Sequence, residues 1–103
     1  MTNEINFNQG TIVITATINQ STDPNVTMFN FFEYKSNEGE ISLKLRNKTK
    51  LIFIHKYKDK TNNLAFDFTD YFDKSNQIAV TWSLEEKELN LYINGKPKKK
   101  INI

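Results

Sequence analysis

Cysteine is absent, which removes disulfides, thiolate nucleophiles and every cysteine-based zinc or iron–sulfur site together. His55 is the only histidine, so imidazole chemistry has one possible centre. No apolar run approaches the ~18–20 residues needed to cross a bilayer, and membrane insertion is not expected. Residues 1–9, MTNEINFNQ, have neither the basic nor the apolar segment of an export signal, and the sequence specifies no compartment. With only three glycines and two prolines in 103 residues, no stretch has the composition of an interdomain linker. One domain over residues 10–103, preceded by a polar lead-in anchored by Phe7, is the expected organisation.

What is present suits a packed interior. Hydrophobic residues make up 38%, aromatic residues 13% and charged residues 25% of the chain, unlike a disordered polymer. The net charge of +2 is too small to argue for nucleic acid. Four lysines cluster at Lys96, Lys98, Lys99 and Lys100 around Pro97. On a terminal strand this composition discourages edge-to-edge pairing, and that reading is preferred to an anion contact.

The clearest structural signal is residues 77–96, QIAVTWSLEEKELNLYINGK. Ile78, Val80 and Trp82 alternate with Ala79, Thr81 and Ser83. After a charged connection, Leu89, Leu91 and Ile93 alternate with Asn90, Tyr92 and Asn94, which is the two-residue period of a β-hairpin. Asn94-Gly95 tolerates the positive φ of a tight turn into another strand. Upstream, Ile12, Ile14, Ala16 and Ile18 share one face of a β-branched strand. Asp23-Pro24 marks a turn over residues 20–25. An aromatic strand runs from Val26 to about Lys35, with rings on both faces, which predicts a central or covered strand.

Ile41, Leu43 and Leu45 alternate with Ser42, Lys44 and Arg46 as a half-buried strand. Residues 51–57 have an ambiguous period, residues 58–63 read as a polar loop, and Leu64, Phe66 and Phe68 line a short strand. Residues 70–75 read as one helical turn capped by Thr69. Ile101 and Ile103 end a last strand. About eight short strands separated by turns predict an all-β antiparallel sandwich or barrel.

The segment order, and above all Val80, Thr81, Trp82, Leu89, Leu91, Tyr92, Ile93, Asn94 and Gly95, resembles the concanavalin A-like jelly-roll superfamily in its laminin-G-like and pentraxin-like branches. GTIVITATI resembles an early strand of that family and EGEISLKLRNKTKLIFIH its central hairpin. The resemblance implies a recognition module and leaves the ligand open, because the fold hosts lectins, glycanases and adhesion modules. Family members usually add an opening and a closing strand for which this chain has no full room. A minimal sandwich closed by INFN and KKKINI, a fragment of a larger protein, or a protomer completed by another copy would each account for that.

Catalytic candidates are few. His55 lies in an apolar strand without a sequence-local partner, and a strand histidine held by a hydrogen bond is the commoner reading. No Glu-x-Asp-x-x-Glu motif of a glycanase occurs, and Glu85, Glu86 and Glu88 read as solvated charge in a hairpin loop. An enzyme is therefore not expected, and no cofactor is. Asp67, Asp70 and Asp73 are the only candidate calcium ligands, without EF-hand spacing, and capping or surface charge is the alternative. A glycan site needs an exposed ring with amides beside it. Tyr57, Tyr71 and Tyr92 are the available rings, with Asn62, Asn63, Asn90 and Asn30 as polar partners. Trp82 is excluded if it shares the core with Val80. The function expected is glycan binding, with a protein partner or self-association in an assembly as the rival.

Overall fold

In a computed structural model, described over residues 6–19 and 28–103, eight strands form two antiparallel sheets. The strands are β1 (Gln9–Thr17), β2 (Phe29–Lys35), β3 (Gly39–Arg46), β4 (Lys50–Tyr57), β5 (Lys60–Asp67), β6 (Ser75–Ser83), β7 (Glu88–Ile93) and β8 (Lys96–Asn102). One sheet has the order β1-β6-β7-β8 and the other β2-β3-β4-β5. β5 packs beside β8 and β7, which leaves β1 and β2 on the opposite side of the sandwich. Among the described residues no helix is long and apolar enough to cross a membrane.

The hairpin of residues 77–96 forms as its alternation predicts. Ile78, Val80, Trp82, Leu89, Leu91 and Ile93 are all buried between the sheets, facing Ile41, Leu43, Leu51, Phe53 and Leu64. Asn94 and Gly95 take φ values of 54° and 80°, the pair of positive angles a two-residue hairpin turn with matching twist requires. Asn94 also ties the turn down, accepting from the Gln77 amide at 2.9 Å and donating to Asn76 Oδ1 at 3.0 Å. The Trp82 indole N–H donates to the Asn6 carbonyl at 2.8 Å, which satisfies its one polar atom inside the core.

Several local expectations are corrected. The aromatic strand β2 is an edge of its sheet, not a central strand. A bulge between Asn30 and Phe32 inserts Phe31, so that Phe31 and Phe32 both reach the core and the alternation breaks there. Rings on two nominal faces thus arise from an extra residue. β3 is not half-solvated. Ser42 is 0% and Lys44 8% exposed on its outer face. There Lys44 Nζ lies 3.2 Å from Glu33 and 3.6 Å from Glu40, while the Ser42 hydroxyl donates to Glu40 at 2.6 Å. The Ser42 hydroxyl is the main cause holding the Glu40 carboxyl below its ordinary range, aided by the Lys44 charge.

The polar segment of residues 58–63 is mostly strand. Lys58 has a φ of 55°, and β5 resumes pairing at Lys60, opposite Tyr57. Thr69 does not cap a helical turn. It lies inside a short 3₁₀ turn (Thr69–Tyr71), where its hydroxyl and backbone amide both donate to Asp67 Oδ1. Buried Asn76 fixes this turn by donating to the Tyr71 carbonyl at 2.7 Å. Residues 6–8 are not a closing strand either. They cross one end of the core, where Phe7 is buried, and β8 pairs with β7 on the far edge from β1. The turn expected over residues 20–25 and the strand start expected at Val26 lie outside the described residues.

Candidate functional site

Antiparallel register sets out the outer face of the β1-β6-β7-β8 sheet in rows, because paired residues point to the same side. One row runs Val13, Ala79, Tyr92, Pro97 across all four strands. It is apolar, with Tyr92 half-buried in it. The next row runs Thr11, Thr81, Asn90, Lys100, and the one beyond runs Gln9, Ser83, Glu88, Asn102. A groove of ≈ 470 Å³ lies over these polar rows, lined by Gln9, Thr11, Thr81, Ser83, Glu88 and Asn90. An aromatic ring in an apolar strip therefore borders hydroxyl, amide and charged groups on an open face.

Glu88 organises the polar part. It is the first residue of β7 and not loop charge as its sequence neighbours suggest. Its carboxylate lies 2.9 Å from Lys100 Nζ and accepts from Asn90 Nδ2 at 3.3 Å. The Lys100 ammonium, then the Asn90 amide, hold the carboxyl below the ordinary glutamate range, and the same contact raises the pKa of Lys100. A lowered folded-state pKa gives stabilisation that is full above the unfolded value and lost as pH falls through the folded one. In an NMR titration from neutral pH to about 3, the Asn90 side-chain amide should shift with a midpoint below ~4.3. Glu88→Gln should remove that transition, and a midpoint above the ordinary glutamate value would contradict the contact. Both groups are solvent-accessible, so little global stability rides on the pair.

A second cleft, of ≈ 520 Å³, opens at one end of the sandwich and brings Tyr57 and Asn62 together with His55, Lys58, Lys60 and Lys87. The Tyr57 ring is stacked on Phe7 at 5.1 Å and 8°, with the Lys58 ammonium 5.4 Å from its centroid. That ring is engaged in packing. His55 is buried, and its Nε2 donates to the Phe7 carbonyl at 2.8 Å, as a strand histidine held in place does.

Tyr71 is likewise engaged, against Phe66 and Phe68 at 5.9 and 5.6 Å, with the Lys74 and Lys98 ammonium groups each 5.8 Å from its ring. Asn63 stands apart on the outer face of the other sheet, opposite Ile54, and Asn30 pairs with Lys44 there. The structure thus joins Tyr92 with Asn90, and Tyr57 with Asn62. Among the described residues, Tyr92 alone of the three candidate tyrosines has no aromatic ring packed on it and no ammonium group over its ring.

Asp67, Asp70 and Asp73 do not converge. Among the described residues no three His, Cys, Asp or Glu side chains form a group able to hold a metal ion. Asp67 is engaged by Thr69, whose hydroxyl is the main cause of its lowered pKa. Gln9, Thr11, Thr81 and Ser83 join the site with no signal of their own in the sequence. The hairpin period alone places Thr81 beside Asn90, but adding Thr11 and Gln9 requires the pairing of β1 with β6, which no local pattern reveals.

The fold class these sheets define, an antiparallel β-sandwich, is shared with a carbohydrate-binding module. No protein-family model matches the chain, and no curated protein matches it in sequence. Among solved structures, the chain is similar to the CBM40 module of a Ruminococcus gnavus IT-sialidase, whose structure was determined bound to α2,3-sialyllactose, at a TM-score of 0.63 and 22% identity. The alignment covers 93% of this chain and 54% of that one, so this chain spans about half the length of its structural neighbour.

Proposed function

We propose that this chain is a non-catalytic glycan-binding module whose ligand lies across the outer face of the β1-β6-β7-β8 sheet. The observation that carries the reading is the row Val13, Ala79, Tyr92, Pro97 lying directly beside Thr11, Thr81, Asn90, Lys100. A sugar ring has an apolar face of C–H groups and a rim of hydroxyls. Rows on one strand face are two residues apart, ~6.8 Å, so a saccharide resting over Tyr92 brings its hydroxyls against the polar row. The groove beside it supplies hydroxyl, amide and carboxylate partners of both hydrogen-bonding polarities.

Binding is favoured over catalysis by the state of the carboxylates. Glu86 and Glu88 line the same groove but come from one hairpin, on one side of it. Glu88 is held ionised, the reverse of what a general acid in glycoside cleavage requires. The sandwich shared with a sialidase's carbohydrate-binding module supports the class of ligand. The finer placement in the laminin-G-like and pentraxin-like branch of the concanavalin A-like jelly rolls rests on the resemblance of the Val80 to Gly95 motif.

The test is a glycan array carrying neutral and sialylated saccharides, followed by titration of any hit. Tyr92→Ala should lower affinity at least ~10-fold, about 1.4 kcal/mol, as for a modest aromatic anchor, while the far-ultraviolet circular dichroism is unchanged. A silent array, or binding indifferent to both Tyr92→Ala and Asn90→Ala, overturns the proposal.

A further inference from the structure

Two sheets present four edges, and three of them carry features that obstruct pairing with another chain. β8 has Pro97, four lysines and an irregularity opposite Leu91 and Tyr92. Its Lys99, at a position paired with inward-facing Leu91, donates from Nζ to the Ala65 carbonyl of β5 at 2.7 Å, which ties these two edges together. β5 is further flanked by Lys60 and Asp67. β2 carries its bulge and the charges of Glu33 and Lys35.

β1 has none of these. Its nine residues, QGTIVITAT, include no charge and no proline. Its ladder with β6 runs unbroken from Gln9 opposite Ser83 to Thr17 opposite Ser75. Among the described residues no strand pairs with its other edge. Val13, at its centre on the outer face, is 54% exposed.

The sequence of β1 says what fits that edge. Thr11-Ile12-Val13-Ile14-Thr15 reads the same in both directions, and the symmetry extends outward as Gly10 with Ala16 and Gln9 with Thr17. An isologous two-fold contact demands this self-complementarity, because residue i must meet residue j and j meet i. Paired antiparallel about Val13, two copies of β1 set Val13 against Val13, Ile12 against Ile14 and Thr11 against Thr15. Each pair is β-branched, and such cross-strand pairs stabilise a sheet. An unrelated extended peptide would match the uncharged edge but would have no reason to match the palindrome.

We propose that the β1 edge is a homodimer interface, in which a second copy of this chain adds its own β1 antiparallel about a two-fold axis through Val13. The two four-stranded sheets become one continuous sheet of eight strands. The apolar row then runs from Pro97 and Tyr92 of one copy, through the two Val13 residues, to Tyr92 and Pro97 of the other. A contact one strand wide falls in the small size class of interfaces, below ~1,200 Å² in total, so the dimer is concentration-dependent.

Sedimentation analysis of the full chain from ~10 µM to ~1 mM should show a reversible monomer–dimer equilibrium. Val13→Lys and Val13→Glu each place like charges opposite one another at the axis, and each should raise the dissociation constant at least ~10-fold. The exposure of Val13 lets both variants fold. An equimolar mixture of the two should recover the dimer as a mixed pair, which damage to the fold could not produce. Wild-type protein monomeric throughout, a dimer insensitive to Val13→Lys, or folded variants that do not recover on mixing would each overturn the proposal. The readout is mass, so it is independent of whether the chain binds glycans.

Discussion

Trp82→Ala is expected to destabilise the fold by ~3–5 kcal/mol, the range for deleting a buried large aromatic side chain. The indole sits at the meeting point of three parts of the chain. It packs on Phe53 of the opposite sheet at 6.0 Å between centroids, lies directly over Gly10 of β1, and donates its N–H to the Asn6 carbonyl. Alanine leaves a cavity between the sheets and strips the Asn6 carbonyl of its partner, so the transfer and hydrogen-bond losses add. Urea unfolding monitored by circular dichroism measures the loss, because tryptophan fluorescence disappears with the residue. A variant within ~1 kcal/mol of wild type would mean that the ring is not part of the core. Trp82 would then return as a candidate sugar platform.

Gly39→Ala is the second large effect, and it acts through the backbone. A β-carbon at Gly39 would overlap the Lys56 carbonyl oxygen and stand 2.9 Å from its carbonyl carbon. Those atoms belong to the β4 ladder, opposite Glu40, and cannot rotate aside as a side chain can. β3 and β4 must therefore separate at this end, at a cost of ~1–3 kcal/mol or more, as for other overpacked sites. Gly95→Ala is the informative comparison. Gly95 has a φ of 80°, yet a β-carbon there would meet nothing within 4 Å, so its cost is confined to backbone strain of ~1–2 kcal/mol. Urea midpoints of the two variants should rank Gly39→Ala as the less stable, and the opposite order would sink the steric argument.

The parts of this fold legible in the sequence are those where one short stretch contains its own partner. The β6–β7 hairpin is such a case, since Ile78 to Ile93 carry both strands, the period and the approach to the Asn94-Gly95 turn. The burial of Trp82 follows from its register with Val80. What escaped local reading depends on insertions or distant partners. A single extra residue at Phe31 shifts β2 out of alternation, and Lys44 is buried only because Glu33 and Glu40 converge on it from two strands. The candidate site divides the same way. Tyr92 and Asn90 could be named from the hairpin, whereas the groove wall of Thr11 and Gln9 arrives from the other end of the chain. Glu88 changed from loose charge to the residue that fixes Asn90 once Lys100 was placed beside it.

The order β1-β6-β7-β8 also bears on how the chain reaches its native state. β2 to β5 pair with their sequence neighbours, as do β6 to β8, so both groups can assemble through short loop closures. β1 alone must find a partner more than half the chain away, and the entropy of closing that loop is recovered only after β6 exists to receive it. Docking of β1 is therefore expected to be the late step of folding. Until it is complete, the groove wall formed by Gln9 and Thr11 does not exist.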